Sequence, residues 1–109
     1  MIKFIFLIKI KKGKTKKEYI QAWKRGSSLI QKLKGARGTM LYKNLDKPEE
    51  LIAIANWTSK SAREKVMRKL KKTRTLTQKI INKHKDFGKT KVLGSFKEIA
   101  RINSQKPIE

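Results

Sequence analysis

The sequence predicts an α+β fold of ferredoxin-like type, a four-stranded antiparallel sheet with helices on one face. Three observations carry that reading. The chain opens with an apolar run, Ile2–Ile10, interrupted only by Lys3 and Lys9. Its centre holds a second run, I-A-I-A-N-W at residues 52–57, which leads straight into the hydroxyl-rich turn T-S-K-S. Helical periodicity follows each run, so the order is β-α-β-β-α-(α)-β, two β-α-β halves around a central hairpin.

Each element has a local cause. Strand one covers about Ile2–Lys11. Ile2, Phe4, Phe6, Ile8 and Ile10 fall on one face, Ile5 and Leu7 on the other. Apolar residues on both faces predict a sheet covered on both sides. A chain of 109 residues supplies two or three helices, enough for one face only. The open face therefore predicts a second copy packed across a two-fold axis, a homodimer forming a dimeric α/β barrel.

Thr15-Lys16-Lys17-Glu18 is a capping box opening helix one. Tyr19, Ile20, Trp23, Ser27, Ile30 and Leu33 then follow helical spacing, with Trp23 as a core anchor. Gly26 weakens this helix by about 1 kcal/mol relative to alanine, which suits a close approach to the sheet. Gly35 is a natural C-cap. Strand two, about Thr39–Asn44, joins strand three, Ile52–Trp57, through the turn-rich Asn44–Glu49 as an antiparallel hairpin. The loop leaves the register open, and with it the face on which Tyr42 lies.

Thr58, Ser59 and Ser61 all suit an N-cap, and Ser61–Glu64 has capping-box spacing. Ala62, Val66, Met67 and Leu70 form the buried face of helix two. The Lys71–Thr75 run predicts a break or a solvated stretch of one long helix. Leu76, Ile80, Ile81, His84 and Phe87 resume helical spacing up to Gly88. Strand four is expected over Lys91–Arg101, with Val92, Leu93, Phe96 and Ile99. Residues 1–101 form one domain, and 102–109 a loose tail.

Composition bounds the function. The net charge is +22, and there is no cysteine, which excludes disulfides, thiol chemistry and zinc knuckles. No run approaches the ~20 apolar residues of a membrane span, and no cleavage pattern follows the apolar N-terminus. A cytoplasmic location with no membrane partner is expected. The charge admits a polyanion such as nucleic acid. Lysine, however, outnumbers arginine 24 to 6 and is spread over nearly every segment, whereas bidentate phosphate and base-edge contacts favour arginine. The densest basic run lies on helix two, from Lys60 to Arg74. Arg63, Arg68, Lys69 and Lys72 are its candidate polyanion contacts, although a solvated helix surface explains them equally. No aromatics interleave for base stacking. The eight carboxylates give neither a paired acid/base spacing nor a metal cluster. Gly35 and Gly38 do not make a phosphate loop. No metal and no cofactor are expected.

Gly13 after strand one, Trp23 in helix one, K-G-A-R-G at 34–38 and A-N-W-T-S-K-S-A-R-E at 55–64 together resemble the antibiotic-biosynthesis-monooxygenase type of dimeric α+β barrel. The resemblance covers about residues 2–70 and, loosely, strand four. Its most specific element is W-x-S-x-x-A. It implies a superfamily that includes cofactor-independent quinol-forming oxygenases and haem-degrading monooxygenases. In the catalytic members the tryptophan ending strand three lines the pocket, and Trp57 matches it. The haem-degrading branch carries an asparagine where this chain has about Phe6. It also carries a ligating histidine on helix two, where this chain offers Met67. Both departures argue against haem degradation by that route.

Trp57 is thus the leading pocket-wall candidate. Ala53 and Ala55 on its face leave room beside the indole, and Phe6 is the neighbouring candidate on strand one. The plainer alternative is that Trp57 fills core and the alanines admit a close helix. Tyr42 suits donation to a ring-oxygenated substrate, or is simply half-buried. His84, with no carboxylate placed to orient it, reads as a packed or surface histidine. Asp86 at i+2 faces away. The leading expectation is a small-molecule-binding or cofactor-independent monooxygenase-like protein acting on an aromatic or quinol-type compound. The alternatives are a nonspecific polyanion-binding dimer and a non-catalytic barrel. A solvent-reachable pocket of about 300 Å³ or more beside Trp57, with a polar group converging on it, favours the first.

Overall fold

A computed structural model describes residues 1–72 and 75–108. Its elements are β1 (Ile2–Ile10), α1 (Lys16–Ile30), β2 (Ala36–Lys43), β3 (Glu50–Trp57), α2 (Lys60–Lys72), α3 (Leu76–Asn82), a 3-10 turn (Lys83–Asp86) and β4 (Gly88–Phe96). The four strands form one antiparallel sheet in the order β2-β3-β1-β4. This is the ferredoxin-like arrangement, with the helices on one face.

Register sorts the side chains between the two faces. β1 pairs with β3 through Phe4↔Ala55, Phe6↔Ala53 and Ile8↔Leu51, and all six lie on the helix side. There they join two buried clusters, one of Ile8, Tyr19, Leu51 and Ala53, the other of Phe4, Ala36 and Trp57. The open face carries the rows Met40–Ile54–Ile5 and Tyr42–Ile52–Leu7. At its rim Lys3 Nζ donates to Asn56 Oδ1 at 2.8 Å.

Two β-bulges decide which residues face which way. In β2, Ala36 opposes Trp57 and Thr39 opposes Ala55, so one extra residue is taken up at Arg37–Gly38. Gly38 has φ +94°, a conformation glycine adopts without strain. Inserting one residue inverts the facing of everything after it. Thr39 and Leu41 therefore turn inward, and Met40 and Tyr42 turn out. A second bulge lies at Leu93, between the Phe6↔Val92 and Ile5↔Gly94 pairs.

The helices start and stop for local reasons. The Thr15–Glu18 capping box is formed in full at α1. α1 ends at Ile30 with Gln31 as its C-cap, so Gly35, at φ +96°, belongs instead to the turn before β2. At α2 it is Ser59 that accepts from the Ala62 N–H, at 3.0 Å. Glu64 is engaged with Lys60 rather than with a Ser61 cap. α3 starts after Thr75, whose hydroxyl accepts from Gln78 N–H. Within the expected break at Lys71–Thr75, Thr73 and Arg74 lie outside the described residues. Gly26 allows a close approach, but to α3 rather than to the sheet. A Cβ there would stand 3.0 Å from both Cα and O of Ile81.

β4 begins at Gly88, earlier than its apolar spacing indicates, and pairing stops at Lys3↔Phe96 because β1 runs out. Residues 97–108 form neither helix nor strand, and Ile99 and Ile102 are exposed.

Candidate functional site

A recess of about 200 Å³ lies between the sheet and the helices. The sheet contributes Phe4, Phe6, Thr39, Ala55 and Trp57 to its floor, with Thr90 and Val92 from β4. Ser27 and Ile30 of α1 and Arg63 and Met67 of α2 form two walls, and Ile81, Asn82, His84 and Lys85 the third. Room for the recess comes where a large side chain stands opposite a small lining one, Phe4 opposite Ala55. Asn82, Lys85, Thr90 and Val92 are the lining residues exposed to solvent. They lie together where the end of α3 meets β4, and so mark the mouth. Larger surface depressions of about 440, 500 and 520 Å³ elsewhere do not include Trp57.

The candidates from the sequence divide on this geometry. Trp57, 2% exposed, is at once core and cavity wall. Phe6 and Ala55 line the recess beside it, whereas Ala53 is fully buried in the other cluster. Tyr42 is 48% exposed, lies on the opposite face, and its hydroxyl contacts Met40 Sδ at 3.3 Å. The Gly38 bulge removes it from the neighbourhood of Trp57. Among the candidate polyanion contacts, Arg68, Lys69 and Lys72 are exposed on α2. Arg63 is turned the other way. Its guanidinium carbon sits 3.3 Å above the Phe4 ring centroid, a stacked cation–π contact. Burial lowers its pKa, although Glu64 pulls the other way.

None of the polar residues that line the recess was assigned to it from sequence, and Arg63 and His84 are the two of them that titrate with a shifted pKa. For Arg63 a signal existed, since it stands four residues before Met67 and shares its side of the helix. For His84 none did, because its orienting partner is 65 positions away. Tyr19 Oη and His84 Nδ1 are 2.9 Å apart, with the two rings edge-to-face at 5.4 Å between centroids. Tyr19 is fully buried, and desolvation raises its pKa well above the ordinary phenol value, so it holds its proton. Its buried O–H has His84 Nδ1 as its acceptor; the reverse polarity would leave that O–H unpaired. The imidazole proton therefore sits on Nε2. Tyr19 is not part of the lining and His84 is, so the hydrogen bond anchors the ring at the wall of the recess from outside it. Burial, and secondarily the charge of Lys85, lower the His84 pKa from 6.5 to about 4, so the ring is neutral at neutral pH. Among the described residues no group of three or more His, Asp or Glu side chains is placed to hold a metal ion, and no helix is long and apolar enough to cross a membrane.

Residues 1–68 match the family described as "Antibiotic biosynthesis monooxygenase". The chain belongs to that family. The matched segment runs from β1 into α2 and includes Phe4, Phe6, Trp57, Arg63 and Met67, but not His84. Solved structures of the same architecture include SnoaB, a cofactor-independent oxygenase from Streptomyces nogalater, with a TM-score of 0.76 at 13% identity, covering 94% of this chain and 97% of that one. A proposed antibiotic biosynthesis monooxygenase from Nitrosomonas europaea gives a TM-score of 0.68 at 12% identity, over 92% of this chain and all of the other. A protein from Arabidopsis thaliana gives 0.69 at 14% identity, over 94% and 100%. At these identities the likeness is one of fold. No curated protein matches in sequence. Membership of this family and the monooxygenase-like architecture support a small-molecule-binding or monooxygenase-like role.

Proposed function

We propose that the recess beside Trp57 binds a small aromatic or quinol-type compound and supports its cofactor-independent oxygenation. The observation that carries this reading is what gathers at one recess: Phe4, Phe6, Ala55 and Trp57 line it together with Arg63 and His84. At about 200 Å³ it is smaller than a drug-sized pocket of about 300 Å³, which restricts the ligand to a compact ring. In this chemistry the substrate's own anion supplies the electrons to O₂. The protein's task is then to exclude water, orient the ring and favour the deprotonated form. That task suits a site whose apolar ring of Phe4, Phe6, Ala55 and Trp57 is met by Arg63 and the neutral His84, with Lys85 and smaller polar side chains towards the mouth.

The test is oxygen uptake with a single-ring hydroquinone, comparing the native chain with Ala55→Leu, which fills the recess, and Trp57→Ala. Uptake above the protein-free rate, lost in Ala55→Leu, supports the reading. Uptake unchanged by filling the recess, or neither uptake nor binding by the native chain, overturns it.

We also propose that a second copy covers the open face. Ile5, Leu7, Ile52 and Ile54 form a flat branched-aliphatic surface there, flanked by exposed Leu93 and Phe96. Light scattering should give twice the chain mass.

A further inference from the structure

The recess is electrostatically one-sided. Arg63 and Lys85 line it, and no carboxylate does. Arg63 is half-buried, and among the described residues no carboxylate lies within ion-pair distance of it; Glu64, its neighbour in sequence, pairs with Lys60 at 3.9 Å. A guanidinium stacked by its face on Phe4 still carries its donors in its edges, a planar fork that matches a carboxylate. Removing that charge from water is costly, and the same burial lowers the Arg63 pKa, with the charge of Glu64 only opposing it. A bound anion relieves it. The neutral His84 ring, anchored by Tyr19, also lines the recess and adds no charge to it. Size narrows the choice further. An apolar cavity of ~150 Å³ takes benzene, so about 200 Å³ takes one ring with one or two substituents. The guanidinium fork matches the two oxygens of a carboxylate, and Lys85 adds positive charge at the mouth.

We infer that the ligand of this recess is a single-ring aromatic carboxylate, its anionic group paired with the Arg63 guanidinium and its approach favoured by Lys85 at the mouth. This rests on the pocket reading above and adds the ligand's charge and size to it.

Calorimetric titration with 4-hydroxybenzoate and with its uncharged analogue 4-hydroxybenzamide tests it. The native chain should bind the carboxylate at least about tenfold more tightly, as expected for a charge-assisted pair. Arg63→Met, which keeps the packing on Phe4, should bring the two affinities together; Arg63→Lys should restore part of the difference. Equal binding of both probes by the native chain overturns the inference and leaves the pocket reading standing. Binding of neither overturns both. A carboxylate preference that survives in Arg63→Met assigns it to the overall positive field and also overturns the inference. Should Arg63→Met fail to fold, the salt response of the native chain decides. An enclosed pair keeps most of its preference at about 0.5 M salt, whereas attraction to surface charge is screened away.

Discussion

Both faces of the sheet carry apolar side chains, and they pair them differently. On the helix side large residues stand opposite small ones, Phe4 against Ala55 and Phe6 against Ala53. On the open side medium residues stand opposite medium ones, Ile5 against Ile54 and Leu7 against Ile52. Alternating sizes leave a hollow that helices roof over without filling. Matched sizes leave a level surface suited to another level surface. Hydrophobicity alone does not separate the proposed binding site from the proposed interface; the pairing of volumes across strands does.

The largest expected effect comes from breaking the hollow face. Trp57→Ala removes the side chain shared by core and recess, and should cost about 3–5 kcal/mol in chemical denaturation together with probe binding. Next is the level face: Ile54→Lys should convert the proposed dimer to monomer by light scattering, with the covered face retaining its fold and its probe affinity. Gly26→Ala sharpens the role of the roof. It gains about 1 kcal/mol of helix propensity but drives a methyl group into the backbone of Ile81, for a net loss of about 1–2 kcal/mol by overpacking. Fourth is pH. Folded His84 stays neutral down to about pH 4, whereas the unfolded residue protonates near 6.5. Between these values the unfolded state binds more protons, so stability should fall as pH drops from 6.5 to 4 and this contribution should level off below that. The groups facing the imidazole are Tyr19 and Phe6, with the Lys85 charge also acting on it. His84→Asn should flatten that part of the melting-temperature profile. Smallest of all, Arg68→Gln with Lys72→Gln on the exposed side of α2 should move stability by less than about 0.5 kcal/mol and leave probe affinity unchanged.

What the sequence made legible was set by how local each signal is. β1, β3 and the start of α1 are written in contiguous patterns, and Trp57 is fixed by the strand it ends. The placement of Tyr42 depends on a bulge that takes up one residue at Arg37–Gly38. A glycine there is compatible with a bulge but does not announce one. Arg63 was hidden by its surroundings, since five lysines and a second arginine on α2 make any one cation look solvated. His84 depends on Tyr19, from another helix, and no local pattern encodes that pairing. Ile99 continues the apolar spacing of strand four beyond Phe96, whereas the hydrogen-bonding partner for that spacing ends with β1.

The Tyr19–His84 hydrogen bond has a spectroscopic consequence. The chain has one histidine, so every imidazole resonance in an ¹H–¹⁵N spectrum comes from a ring that touches the recess. Its two nitrogens should report a single tautomer, with the proton on Nε2. A ligand accepting from that proton should shift the Nε2 signal and leave Nδ1 nearly where it was. The protein thus carries its own occupancy probe, readable without a label or an assay.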